Sequence, residues 1–139
     1  MSQKDHPAFT IAPAIINAVQ LLESVCYDAS KLAGWHTNRN SGLPFTQEEQ
    51  DERFPLRIAL IHSELSEALE GHRKNLQDTH LPLRRSAEVE LADALIRIFD
   101  LAGAMKYDLG DALLEKLRFN VSREDHTLAA RAAAHGKKY

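Results

Sequence analysis

The sequence predicts an all-α protein built on a four-helix-bundle core. Three observations carry this. Long stretches are rich in Ala, Leu, Glu and Arg, which form helices readily. The six Gly and five Pro fall in few places and punctuate those stretches. No run alternates β-branched or aromatic residues with polar ones, and no Asn-Gly or Asp-Gly pair offers a hairpin turn.

The first helix is expected from about Pro13 to Ala33, with Gly34 as its stop. A polar stretch follows from Trp35 to Phe45. Thr46, with Glu49 three residues on, reads as a capping box opening a short helical turn. Pro55 suits the first position of a second long helix, about Pro55 to Lys74. Asn75 to Leu81 reads as a loop, and a third helix starts after Pro82 and runs to about Lys106. Asp108 as N-cap and Asp111 in the first turn open a fourth, ending near Arg123. The remainder holds an Ala-rich piece, Leu128 to Ala134, and a basic end, His135 to Tyr139.

At 139 residues the chain is expected to form a single domain spanning 1–139, with the site helices within 55–123 and a tail over 124–139. A hydrophobic content of 44% and a charged content of 27% are ordinary for a globular protein and argue against disorder. A net charge of −3 and a pI near 6.1 give no general attraction to nucleic acid or anionic membrane. The single Cys26 excludes an internal disulfide framework and a Cys-rich zinc site, and it fits a reducing compartment. The uncharged stretch Ala8 to Leu22 is broken by Pro13, Asn17 and Gln20, and the run it belongs to is shorter than the ~20 residues of a membrane span. With Lys4 and Asp5 in balance and no small-x-small cleavage site after the run, the expectation is a cytoplasmic chain without a signal peptide.

The chemistry concentrates in two acid pairs. Glu64 and Glu67 on the second helix, and Glu90 and Asp93 on the third, are each spaced i, i+3, which places each pair on one helix face. Ile61, Leu65, Ala68 and Leu69 flank the first pair, and Leu91, Ala94, Leu95 and Ile98 the second, so the acids border a stripe expected to face the core. One such pair alone is ordinary surface decoration. Two pairs on consecutive antiparallel helices can converge, and four anions beside a core repel one another unless a cation joins them. Carboxylate-only ligation suits Mg²⁺, with Mn²⁺ as a substitute. Arg97 and Asp100 extend the third helix's stripe and are expected to pair with each other within the helix. Glu70 reads equally as an outer ligand or as surface. On the fourth helix Lys116, Asn120 and Arg123 share one face at i, i+4, i+7, a set able to hold phosphate oxygens. Leu109, Leu113, Leu117 and Val121 form a separate apolar stripe there.

The Glu64-x-x-Glu67 and Glu90-x-x-Asp93 pairs, the strings ALIHSELSEALE and ELADALIRIFDLA, and the Lys116, Asn120, Arg123 pattern resemble the MazG-like all-α nucleoside triphosphate pyrophosphohydrolases of the small single-domain type. The NVSRED stretch and the HGKKY ending resemble them too. The likeness runs from about Phe54 to Tyr139; the first 50 residues match only in general plan. One departure is Ser63, where many members carry a glutamate. The resemblance implies hydrolysis of a nucleoside triphosphate between its α and β phosphates, giving a monophosphate and pyrophosphate. Metal ligands would be Glu64, Glu67, Glu90 and Asp93, with Glu64 or Glu67 also accepting the proton of the attacking water. Lys116 and Arg123 would hold the leaving phosphates. Trp35 can stack on a base and Asn38 read its edge, or Trp35 can simply plug the end of the bundle. His62 reads as a surface or capped histidine, and no geometry assigns His126 or His135.

Two other classes compete. A carboxylate-bridged di-iron bundle typically uses Glu-x-x-His on two helices, but here the i+3 residues are Glu67 and Asp93. A non-catalytic helical interaction module would use the acids for partner contacts. The first and third helices are apolar beyond one face, and with the resemblance this leads to the expectation of a homodimer or homotetramer.

Overall fold

A computed structural model describes residues 5–136. It is mostly helical, with six α-helices and no strand among the described residues. They are α1 (Pro7–Thr10), α2 (Ala12–Leu32), α3 (Gln47–Lys74), α4 (Ser86–Met105), α5 (Leu109–Ser122) and α6 (Leu128–Ala132). A 3-10 turn, Glu124–His126, precedes α6. None of these helices is long and apolar enough to cross a membrane. The last residues of the expected basic end, 137–139, lie outside the described residues, as does Lys4.

Contacts divide the chain into two compact units, Leu22–Tyr107 and Met1–Leu21 with Asp108–Tyr139, the division falling inside α2. In the first, α3 and α4 pack along each other as a helical hairpin. Ile61 and Ala68 of α3 and Ala94, Leu101, Ala102 and Ala104 of α4 are buried. These are mostly small side chains, so the helices approach closely. At Gly71 an added Cβ would stand 2.5 Å from the Ser86 Oγ, and at Gly103 it would stand 2.7 Å from the Tyr27 Cβ. Glycine thus lets the hairpin close at one end and lets α2 cross α4 at the other.

The ends of α2 and α3 follow from local chemistry. Gly34 stands at φ +84° and Asn75 at φ +53°, the left-handed conformation that terminates a helix. Thr46 and Glu49 form a reciprocal capping box, but it opens a continuous helix and not a separate turn. Pro55 therefore sits inside α3 and not at its start. Its ring removes only the bond that the Asp51 carbonyl would accept, and Asp51 is exposed, so water can satisfy that carbonyl. The third expected helix also starts later, at Ser86. Residues 77–85 are held as a tight loop instead. Gln77 and Arg85 bridge, the Asp78 amide donates to the Arg84 carbonyl at 3.0 Å, and the Asp78 carboxylate accepts from the amides of His80 and Leu81.

In the other unit, Asp108 caps α5 by accepting from the Asp111 amide, as its position in the sequence predicts. Gly110 lies against Ile16, and the Arg118 Nε donates to the Ala8 carbonyl at 2.9 Å, tying α1 to α5. Leu114 is buried, whereas Leu113 of the expected apolar stripe is 41% exposed.

Candidate functional site

The hairpin brings three of the four acids together. Carboxylate oxygens of Glu64, Glu90 and Asp93 lie within 4.8 Å of one another, with Glu64 buried, Glu90 half-buried and Asp93 partly exposed. Glu67 is exposed and outside this trio, though it lines the same small cleft of about 520 Å³ with Asp78, Thr79 and His80. Crowding has an electrostatic consequence. Burial, a hydrogen bond to Glu64, and the charges of Glu67, Glu64 and Asp93 all hold the Glu90 carboxyl above the ordinary carboxylate range.

The flanking stripe is less covered than its pattern predicts. Leu65, Leu69, Leu91 and Leu95 are all exposed by more than two-fifths, because the buried contact runs through Ile61, Ala68 and Ala94.

Arg97 and Asp100 do not pair with each other. The Arg97 Nε donates to the Glu64 Oε1 at 2.5 Å across the hairpin, and the Asp100 Oδ1 is 2.7 Å from the His36 Nε2. Each residue is drawn to a buried partner: Glu64 and His36 are both nearly inaccessible to solvent, so an unpaired charge or ring nitrogen there is costly. The His36 Nδ1 faces the Gln50 Nε2 at 3.2 Å and the Arg57 Nη2 at 3.1 Å, both donors, so Nδ1 accepts and Nε2–H donates to Asp100. The Arg57 Nη2 also donates to the Gln50 Oε1 at 2.6 Å, and the Tyr27 ring meets His36 edge-on. Burial pulls the Arg57 guanidinium down from its ordinary pKa, against the opposing charge of Asp100.

Beside this network lies a cavity of about 1120 Å³. Arg39, Arg53, Arg57 and Arg97 line it, with Trp35, Phe45, Leu60 and Ile96 as apolar walls and Asp93 and Asp100 at its acidic edge. Asp93 lines both this cavity and the carboxylate cleft, so the two adjoin along α4. Trp35 is 67% exposed on the cavity wall, which does not fit a bundle plug. Asn38 is already engaged. Its Nδ2 donates to the Glu49 Oε1 at 3.0 Å and its Oδ1 accepts from the amides of Asn40 and Ser41, so it builds the loop, and one Nδ2 hydrogen is left for another partner. Cys26 also lines the cavity, but burial and the charge of Asp100 hold its thiol protonated, which makes it a poor nucleophile.

The sequence pattern does not single out Arg39, Arg53, Arg57 or the His36 network, and it points to Arg97 only as a partner of Asp100. Arg53 and Arg57 share an i, i+4 spacing on α3, and that was the available signal; Arg39 comes from the loop and carries none. Lys116, Asn120 and Arg123 belong to the other unit, on the C-terminal half of α5 and its C-cap. Lys116 lies 4.6 Å from the Phe119 ring centroid, and Arg123, the C-cap, makes a two-pronged pair with Asp125.

No family model, no curated protein and no solved structure matches the chain.

Proposed function

We propose that the protein is a Mg²⁺-dependent nucleoside triphosphate pyrophosphohydrolase of the MazG-like type, assembled as a homodimer or homotetramer. The observation that carries this reading is the adjacency of a carboxylate trio and an arginine- and tryptophan-lined cavity, sharing Asp93. The donor set fits a hard divalent cation: three carboxylates from two helices, with no histidine or thiolate among them, and a Glu90 carboxyl held above the ordinary range by burial first and by its acidic neighbours as well. Glu64, Glu90 and Asp93 would hold Mg²⁺, or Mn²⁺ in its place, with Glu67 next to them. The cation supplies charge neutralisation for the triphosphate.

The chain's own residues supply the rest. Trp35 offers an exposed ring on which a base can stack. Arg39, Arg53 and Arg57 offer planar donors matched to phosphate oxygens, and the buried Arg57 Nη1 has no partner among the described residues. Glu67 lies outside the trio and is exposed, so it is the better base for a water attacking the α phosphorus. That attack forms a bond from water oxygen to the α phosphorus and breaks the bridging bond to the β phosphate, releasing pyrophosphate. Lys116, Asn120 and Arg123 remain proposed phosphate contacts on the sequence pattern alone. Leu65, Leu69, Leu91, Leu95 and Ile96 form exposed apolar surface on the hairpin that a second copy would cover, supporting the oligomer.

The test is pyrophosphate release from the common and deoxy nucleoside triphosphates, with Mg²⁺ and with excess chelator. Release that needs the cation supports the reading, and release unaffected by chelation refutes the metal centre.

A further inference from the structure

We infer that Arg97 is a resident counter-ion of the carboxylate trio that divalent cation displaces, and that it then grips the substrate's phosphates. This rests on the proposed metal centre and adds to it a coupling between the two halves of the site.

Glu64 is the most buried acid of the trio, yet its Oε1 is already used by the Arg97 Nε at 2.5 Å. A cation binding Glu64 competes with that bond, because both seek the same oxygen. Arg97 is free to yield. Its side chain is 42% exposed, and among the described residues only its Nε is bonded. The residue also lines the arginine cavity, one helical turn from Asp93, which borders cavity and cleft alike. A guanidinium released from Glu64 therefore joins Arg39, Arg53 and Arg57 without leaving its own helix face, and its two Nη groups suit a phosphate. Before cation binds, the pair lowers the cost of burying Glu64. Afterwards the same charge is available to the ligand. Cation and polyphosphate then each raise the other's affinity by one and the same factor, as linkage requires.

The experiment measures binding, not turnover. Mn²⁺ is titrated calorimetrically into the full chain, and a non-hydrolysable α,β-methylene nucleoside triphosphate is titrated with and without saturating Mn²⁺. Wild type, Arg97→Gln and Arg97→Lys are compared, with circular dichroism to check folding. In Arg97→Gln, Mn²⁺ binds on the order of 10-fold more tightly because its competitor is gone, while the analogue binds on the order of 10-fold more weakly in saturating Mn²⁺. The coupling factor falls accordingly. Arg97→Lys, which keeps the charge but loses the fork, lies between. Unchanged or weaker Mn²⁺ binding in Arg97→Gln overturns the inference and leaves the metal centre standing. Tighter Mn²⁺ with unchanged analogue affinity overturns the phosphate grip, reducing Arg97 to a structural counter-ion. Absence of Mn²⁺ binding in wild type refutes the metal centre itself, and this inference with it.

Discussion

The acidic face of the α3–α4 hairpin and the basic face of α5 look alike in the sequence: charged side chains at helical spacing beside an apolar stripe. Their surroundings differ. On the hairpin, charges find partners across elements, Glu64 with Arg97 and Asp100 with His36, and three carboxylates are forced within 4.8 Å. On α5, charges find partners nearby, Arg123 with Asp125 and Lys116 with the Phe119 ring. Spacing fixes which side chains share a face. Whether that face becomes a site depends on a second helix bringing like charges together against their mutual repulsion, and only the hairpin does this among the described residues.

Changes on the hairpin are therefore expected to outweigh changes on α5. Asp93→Asn removes the carboxylate common to cleft and cavity; if it holds the proposed cation, pyrophosphate release should fall by on the order of 1,000-fold, about 4 kcal/mol in the barrier. A variant within 10-fold of wild type would erase the distinction between the two regions. His36→Ala comes next. It strips Asp100 and Arg57 of a buried partner and should destabilise the fold by about 2–4 kcal/mol in chemical unfolding, without unmaking the carboxylate trio. Lys116→Ala should raise KM by about 10-fold for every nucleotide alike if the basic face contacts phosphates as the sequence pattern implies. Wild-type kinetics there would confine the site to the hairpin. Trp35→Ala should reorder the preference among bases, while thermal unfolding moves by no more than about 0.5 kcal/mol, as for other exposed positions.

The smallest effect is a stability change with a defined pH dependence. Folding raises the Glu90 pKa, so the native state holds this proton more tightly than the unfolded chain. Stability from that group is full below the ordinary carboxylate pKa, about 4.3, and is lost as pH rises through the raised value. Glu90→Gln should thus stabilise the cation-free protein by on the order of 0.5 kcal/mol at neutral pH, the scale of other like-charge contacts, and the gain should vanish in acid. Equal stability of variant and wild type at neutral pH would mean the repulsion is relieved elsewhere.

Much of the helical frame is legible in the sequence because its ends are local. Gly34, the Thr46–Glu49 box and Asp108 each act within one turn of themselves, and each does what its residue type predicts. Pro55 misleads because its usual place at a helix start is a preference, and the Thr46–Glu49 capping box upstream has already begun the helix. Pro82 misleads because the Asp78 carboxylate and the Gln77–Arg85 bridge take up the backbone groups that a helix would use. Spacing shows four acids able to converge, and does not show that Glu67 stays outside the trio the hairpin gathers. The Arg97–Glu64 and His36–Asp100 pairs are not visible in spacing, since they join residues 33 and 64 positions apart and depend on which face each helix buries. The arginine cavity is hidden for the same reason: Arg39 is a loop residue, and Arg53, Arg57 and Arg97 come from two helices.

The central claim is that this hairpin directs water to the α phosphorus of a nucleoside triphosphate. Phosphorus NMR of a turnover mixture in oxygen-18 water, with Mg²⁺ present, tests it directly. The account predicts monophosphate and pyrophosphate as products, with oxygen-18 on the monophosphate and none on the pyrophosphate. Orthophosphate and nucleoside diphosphate as products, label on the pyrophosphate, or no reaction with any nucleotide would contradict it.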